Sequence, residues 1–197
     1  MPTTEPLDPL LTQIQACTKC ADFLEFGPRP IVQAGAGAAV MIIGQAPGRR
    51  VHASGVPWDD PSGGRLRQWL GLTDDEFYDP DNLALVPMGF CYPGSTGSGD
   101  RPPRPECAPQ WHPRLLAALP DVRLTVLIGT YALRSYLPGA GPTLTDTVSA
   151  WRDHLPERAV LPHPSPRNRH WLAANPWFEA EAVPALRARM RQVLDDR

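Results

Sequence analysis

The sequence lacks the features that would assign it at once to a membrane, secretory or nucleic-acid-coating class. It has no run of about 20 apolar residues, so no segment is predicted to span a membrane. The first ten residues, MPTTEPLDPL, lack the positive region and apolar core of a secretory signal, and we expect a cytoplasmic protein. The 19 basic and 21 acidic side chains leave a net charge of −2, which gives no protein-wide attraction to nucleic acid. Any nucleic-acid site must therefore be a local patch.

Cysteine is scarce, with four residues in the chain. Cys17 and Cys20 form a Cys-x-x-Cys pair, whereas Cys91 and Cys107 are separated by 15 residues. In the cytosol such thiols are ligands more often than disulfides, although buried thiols that act as small hydrophobic side chains are the alternative. Four thiolates favour zinc or an iron–sulfur cluster. One close pair favours a cluster without excluding zinc.

Charged residues make up only 20% of the chain and hydrophobic residues 42%, which is ordinary for a globular protein. A length of 197 residues predicts one domain over residues 1–197, and we expect a monomer. The 25 prolines are scattered between apolar runs, which indicates rigid, ordered loops and not a disordered tract.

Apolar runs alternate with amphipathic stretches along the chain. This alternation predicts an α/β fold, a three-layer sandwich with a mostly parallel four-stranded central sheet. The predicted strands are 39–44, 83–88, 124–129 and Arg158–Leu161. The predicted helices are 5–16, 62–72, 113–118, 131–137, 147–154 and a C-terminal helix that begins or kinks at Pro184.

Two polar motifs follow predicted strands, GQAPG at 44–48 and HPSPRN at 163–168. Ligands bind at the carboxyl ends of such strands, so we expect both motifs to line one crevice. The first motif lacks the Gly-Lys-Ser/Thr of a Walker loop, and Pro47 removes a backbone donor that a phosphate would need. A plain turn is the alternative. Loops as long as the one at 89–106 usually have a function or are held in place by contacts with the rest of the domain.

Four features together, in this order along the chain, resemble the uracil-DNA glycosylase superfamily. They are the cysteine spacing, GQAPG, the stretch GVPW at 55–58 and HPSPRN. The cysteine pattern resembles the iron–sulfur branch, often called family four, and implies a 4Fe–4S cluster on the four cysteines, with structural zinc as the alternative. HPSPRN resembles the single-strand-selective monofunctional branch.

The resemblance implies a role for most residues of these motifs. His163 would donate a hydrogen bond to the leaving base, which is an electrostatic role, and Trp58 would stack on that base. Ser165 would press on the DNA backbone. The remaining substrate contacts are the pocket floor, Gly44, Gln45, Ala46 and Pro47, and two residues at the lesion strand, Arg167 and Asn168.

The sequence departs from the family pattern at two places. The iron–sulfur branch has Glu where this chain has Gln45. In that branch an Asn that reads the uracil edge lies a few residues before the third cysteine, whereas the stretch LVPMGFC that ends at Cys91 contains no Asn. The acid that orients water must then come from elsewhere, and Asp59 and Asp60 are the candidates. Their alternative role is to cap the helix that follows. The catalytic candidates are His163, Asp59, Asp60 and Gln45.

Arginines near the motifs are candidates for a local phosphate patch, although each is individually more typical of a solvated surface. They are Arg49, Arg50, Arg65, Arg101, Arg104 and Arg169. RRVH at 49–52 resembles the Arg-Arg-Ile-His loop of a branch that links covalently to DNA, but it directly follows the first motif and does not form a later insertion. Motif matches out of context mislead, and we give this one little weight.

These observations predict a monofunctional DNA glycosylase of base excision repair. It would hydrolyse the N-glycosidic bond of uracil or of a related deaminated base in damaged DNA. One alternative is a protein that keeps the fold and the metal cluster but only binds or senses damaged DNA. Another is a metal-stabilised α/β hydrolase with a different substrate.

Overall fold

A four-stranded parallel sheet forms the centre of the protein in the computed structural model, which describes residues 5–97 and 99–196. The strands in chain order are β1 Val40–Ile43, β2 Leu83–Leu85, β3 Ser95–Thr96, β4 Gly99–Asp100, β5 Leu124–Ile128 and β6 Arg158–Leu161. The central sheet has the order β2-β1-β5-β6. In its register Ile42 is paired with Leu85 on one side and with Val126 on the other. The short strands β3 and β4 form a separate antiparallel hairpin.

Helices connect and flank the strands. The α-helices of the described residues are α1 Leu7–Gln15, α2 Arg49–Ser54, α3 Pro61–Leu70, α4 Asp74–Tyr78, α5 Cys107–Ala118, α6 Gly129–Tyr136, α7 Leu144–Ser149, α8 Trp151–His154, α9 Arg169–Ala174 and α10 Val183–Asp195. Short 3₁₀ turns lie at Ala21–Phe23 and Pro166–Asn168, and a π-helical turn at Phe178–Ala182 leads into α10. The predicted α/β fold with a parallel four-stranded sheet is confirmed.

The central strands are apolar because both faces of the sheet are buried in the core. All four residues of β1 are buried, because helices cover both faces of a parallel sheet. Aromatic rings fill the space between α3 and the C-terminal helices, where Trp69 packs edge-on against Phe178 with the ring centroids 5.0 Å apart. No helix of the described residues is long and apolar enough to cross a membrane.

Several element boundaries differ from the prediction. Helix α5 begins at Cys107 and continues through Pro113, so the predicted helix at 113–118 was too short. The predicted helix at 147–154 is two helices, α7 and α8. Helices α2, α4 and α9 and the β3–β4 hairpin were not predicted, because segments this short carry too little hydrophobic periodicity.

Candidate active site and cysteine cluster

A cavity of about 550 Å³ lies at the carboxyl ends of the central strands. The strand order reverses between β1 and β5, which is where open α/β sheets bind their ligands. Gly44 follows β1, and His163 lies two residues beyond β6. Both residues line the cavity, so the crevice expected for the two motifs is present in the structure.

The cavity floor is built by the backbone of the first motif. The N–H groups of Met88 and Gly89 donate to the carbonyl oxygens of Gly44 and Gln45, at 2.8 and 3.0 Å. These two bonds hold the motif against the chain that leaves β2. The floor is therefore a fixed surface and not a free turn.

Trp58 lies directly against this floor. A Cβ built on Gly44 would be 2.8 Å from Cζ2 of the indole, so only glycine admits the ring at this distance. Trp58 has a φ of 58°, a strained conformation for a bulky residue. Gly63 permits it, because a side chain there would strike the Trp58 carbonyl oxygen. The Trp58 ring also faces the His163 ring, with the centroids 5.9 Å apart.

His163 is held in one tautomer by its own loop. The Ser165 N–H donates to His163 Nδ1 at 3.2 Å, so Nδ1 is the acceptor and Nε2 carries the proton of the neutral ring. Asn168 donates to the His163 carbonyl oxygen at 2.7 Å and stiffens the loop. Burial lowers the pKa of His163, and the nearby Asp60 carboxylate opposes that shift. The imidazole is therefore a neutral hydrogen-bond donor through Nε2.

The two candidate carboxylates lie in different places. Asp60 lines the cavity and also caps α3, with its Oδ1 accepting from the Gly63 N–H at 2.8 Å. The capping role is thus present, in a side chain that also lines the cavity. Asp59 is exposed and is not among the residues that line the cavity. Its charge acts instead near Tyr78, whose pKa is raised mainly by burial.

Gln45 also lines the cavity, but its amide serves a neighbouring loop. Its Nε2 donates to the Arg101 carbonyl oxygen at 3.1 Å, which ties the floor to the β3–β4 hairpin. The other predicted substrate contacts all line the same cavity; they are Gly44, Ala46, Pro47, Trp58, Ser165, Arg167 and Asn168.

Asp100 is a cavity residue that the sequence did not reveal. It lies in β4, within the long loop at 89–106, and lines the cavity together with Asp60 and His163. Partial burial raises the pKa of its carboxyl, and the Asp60 charge adds to that effect, whereas Arg167 opposes it. The Gly- and Ser-rich sequence around Asp100 has no periodicity, so the length of the loop was its only signal.

A comparison with protein families decides the assignment of this fold and site. The family model described as the uracil DNA glycosylase superfamily matches residues 32–187. The chain belongs to the uracil-DNA glycosylase superfamily. Membership implies a glycosylase-type hydrolase that acts on DNA. The match includes GQAPG, HPSPRN, Cys91 and Cys107, but it begins after Cys17 and Cys20.

The arginines of this superfamily member divide into two groups. Arg49 and Arg50 begin α2 directly after GQAPG, Arg101 follows Asp100, and Arg169 follows HPSPRN; all four are exposed. Each of them is close in sequence to residues that line the cavity. The other two predicted patch residues are Arg65, which is half-buried in α3, and Arg104, which pairs with Glu106 and lies over the Phe23 ring.

All four cysteines line one small cavity beside α5. They are free thiols. The Phe90 N–H donates to Cys107 Sγ at 3.3 Å. Burial raises the pKa of Cys91 to about 11 and that of Cys107 to about 12, and the neighbouring thiols add to both shifts.

The donor set of this cysteine cluster fits a soft metal centre. Four sulfurs around one cavity, with a backbone N–H group directed at one of them, are typical of thiolate-held metals. Within residues 5–97 and 99–196, no three His, Cys, Asp or Glu side chains have the arrangement that would hold a metal ion. The fit therefore rests on the identity of the four donors and on their common cavity, and not on a preformed arrangement around one ion.

Proposed function

We propose that this protein is a DNA glycosylase that hydrolyses the N-glycosidic bond of uracil or of a related deaminated base. One observation carries the proposal: the Trp58 ring and the fixed Nε2–H of His163 belong to the same cavity, at the carboxyl ends of the sheet. The first group offers a face for a base, and the second offers a donor for the charge that develops when the base leaves.

The proposed reaction begins with a base extruded from the DNA strand into the cavity, since the reacting bond is not accessible inside a stack. The base stacks on Trp58 over the Gly44 backbone. As the bond from the base nitrogen to C1′ breaks, its electron pair stays on the base. His163 Nε2–H then donates to a carbonyl oxygen of that base and stabilises the developing anion.

Water is the proposed nucleophile, which makes the enzyme monofunctional. A glycosylase that also cuts the strand forms a Schiff base with the sugar, and a lysine side chain is the common amine for this step. Lys19 is the single lysine of the chain. It lines the cysteine cavity and is not among the residues around Trp58 and His163.

DNA is the proposed partner, bound through a local basic patch. Four exposed residues close in sequence to the cavity would contact phosphates on either side of the extruded base; they are Arg49, Arg50, Arg101 and Arg169. Such contacts release counterions, so binding should weaken steeply with salt. This patch reconciles DNA binding with a net charge of −2.

We also propose that Cys17, Cys20, Cys91 and Cys107 hold an iron–sulfur cluster, most simply a 4Fe–4S cluster, with structural zinc as the alternative. A cluster would supply a cross-link between the N-terminal segment and the two ends of the loop at 89–106, and no catalytic step is assigned to it. Iron and sulfide analysis of purified protein, with an absorbance band at about 400 nm, would support the cluster. Zinc in the absence of iron would support the alternative.

The test of the enzyme proposal is base release from a labelled oligonucleotide that contains one uracil, hypoxanthine or xanthine, in single- and double-stranded form. An alkali-labile site at the lesion supports the proposal. The absence of an acid from GQAPG keeps a second function open, that of a damage-binding protein. Salt-sensitive binding without base release on any of these substrates would favour the second function.

A further inference from the structure

Two carboxylate groups approach the backbone at Gly48. A Cβ built on Gly48 would be 3.5 Å from Asp100 Oδ2 and 3.9 Å from Asp60 Oδ2. Both separations are ordinary van der Waals contacts, so an alanine methyl group would fit at Gly48 but would take the place of a water shared by the two oxygens. Gly48, Asp60 and Asp100 all line the cavity that holds Trp58 and His163.

Separate parts of the chain fix the two carboxylates. Asp60 Oδ1 is committed to the Gly63 N–H at the start of α3, which leaves Oδ2 directed toward Gly48. Asp100 lies in the hairpin, opposite Ser95. Hydrogen bonds fix both backbone polar groups of the next residue, Arg101. The Arg101 N–H donates to the Gly94 carbonyl oxygen at 2.9 Å, and the Arg101 carbonyl oxygen accepts from Gln45 at 3.1 Å.

We propose that Asp60 and Asp100 hold the attacking water above Gly48, and that Asp100 is the catalytic base. The inference rests on the proposed glycosylase function. The water oxygen forms a bond to C1′ of the sugar while the bond from C1′ to the base nitrogen breaks. The proton of the water passes to Asp100 Oδ2, and the electron pair of the broken bond leaves with the base, which His163 stabilises.

Asp100 is better suited than Asp60 to accept the proton. Asp60 has one oxygen engaged in the helix cap, so its task is to orient the water. Asp100 has the raised pKa of a partly desolvated carboxyl, and a base works best when its pKa approaches the working pH. The charges that act on Asp100 are those of Arg167 and Asp60, and His163 lines the same cavity. Gln45 cannot take this role because an amide does not accept a proton at this pH.

The experiment compares single-turnover base release by the wild-type protein, Asp100→Asn and Gly48→Ala on a uracil-containing oligonucleotide at saturating protein. Asp100→Asn removes the proposed catalytic base, and Gly48→Ala puts a methyl group where the proposed water would lie. Gly48 has a φ of −82°, which alanine adopts freely. The matched controls are Asp121→Asn, an exposed carboxylate outside the cavity, and Gly64→Ala, where a Cβ meets nothing within 4 Å.

We expect both test variants to lose at least about 100-fold in the single-turnover rate, while the controls stay near the wild-type rate. In the wild type the rate should fall toward acid pH because the Asp100 carboxylate becomes protonated, and Asp100→Asn should not show this fall. A merely structural role of Asp100 would not produce that change. Asp100→Asn at the wild-type rate, in an active protein, overturns this inference alone. A wild-type protein that releases no base from any tested lesion overturns the proposed function, and this inference falls with it.

Discussion

The Ser165 N–H donates a hydrogen bond to His163 Nδ1 over 3.2 Å, and this contact defines the chemistry of the site. It leaves Nε2 as the protonated nitrogen of a neutral imidazole. Burial lowers the pKa of the ring, so the neutral form persists at physiological pH. A neutral donor already in position needs no reorganisation when charge develops on the base, which is how electrostatic stabilisation becomes effective.

Trp58 and Gly44 should act together in binding the base. Trp58→Ala removes the stacking face and should weaken binding of a non-cleavable uracil-DNA analogue by about 5- to 150-fold, since stacking on one base contributes roughly 1–3 kcal/mol. Trp58→Phe should retain most of the affinity. Gly44→Ala should resemble Trp58→Ala, because its Cβ would displace the indole. Fluorescence anisotropy measures the affinities; equal affinity of Gly44→Ala and the Gly64→Ala control would contradict this placement of the ring.

His112 should make the fold sensitive to acid. It is buried at 3% exposure, with one ring nitrogen bonded to the Tyr136 hydroxyl and the other to the Pro87 carbonyl oxygen. Burial lowers its pKa below the ordinary value of 6.5. The unfolded state therefore binds the proton more readily, and the free energy of unfolding should fall as the pH drops below about 6.5.

Chemical denaturation at about pH 7.5 and about pH 5.5 measures this effect, because the two pH values lie on either side of the ordinary pKa of histidine. His112→Gln should be less stable than the wild type at both pH values, but the difference in stability between them should be smaller. His52 and His163, whose pKa values are also lowered, account for the part that remains. An unchanged pH difference in His112→Gln would exclude His112 as a cause.

Removing the proposed metal centre should loosen the hairpin that carries Asp100. Cys91 and Cys107 lie at the two ends of that loop, and both line the cysteine cavity. Cys107→Ser should lose bound metal and become more sensitive to proteolysis at Arg101 and Arg104, as followed by mass spectrometry of the fragments. Asp121→Asn, purified in parallel, should keep the metal and the wild-type cleavage pattern. If Cys107→Ser keeps the wild-type metal content, it contradicts the proposed ligand set.

The sequence predicted the sheet and the two motifs because both depend on local patterns. Short apolar runs are typical of buried parallel strands, and a polar motif directly after such a strand must lie at its carboxyl end. Gly44 and His163 could therefore be assigned to one crevice from the sequence. The order of the strands and the reversal between β1 and β5 follow from packing and not from local pattern.

The sequence could not distinguish Asp59 from Asp60 or identify Asp100. Adjacent residues differ in direction only once the backbone is known, and here the strained φ of Trp58 and the cap on Gly63 direct Asp60 to the cavity. Asp100 reaches the site through contacts distant in sequence, above all the bond from Gln45 to the Arg101 carbonyl oxygen. Such contacts leave no periodic signal in a loop rich in Gly and Ser.

The most direct measurement is single-turnover release of uracil by the wild-type protein and by His163→Ala, with His163→Gln as the variant that keeps an N–H donor. We expect base release by the wild type, a loss of about 100-fold or more in His163→Ala, and a smaller loss in His163→Gln. Thermal denaturation checks that all three proteins are folded. No release by the wild type from uracil, hypoxanthine or xanthine substrates, or release by His163→Ala at the wild-type rate, would contradict the account.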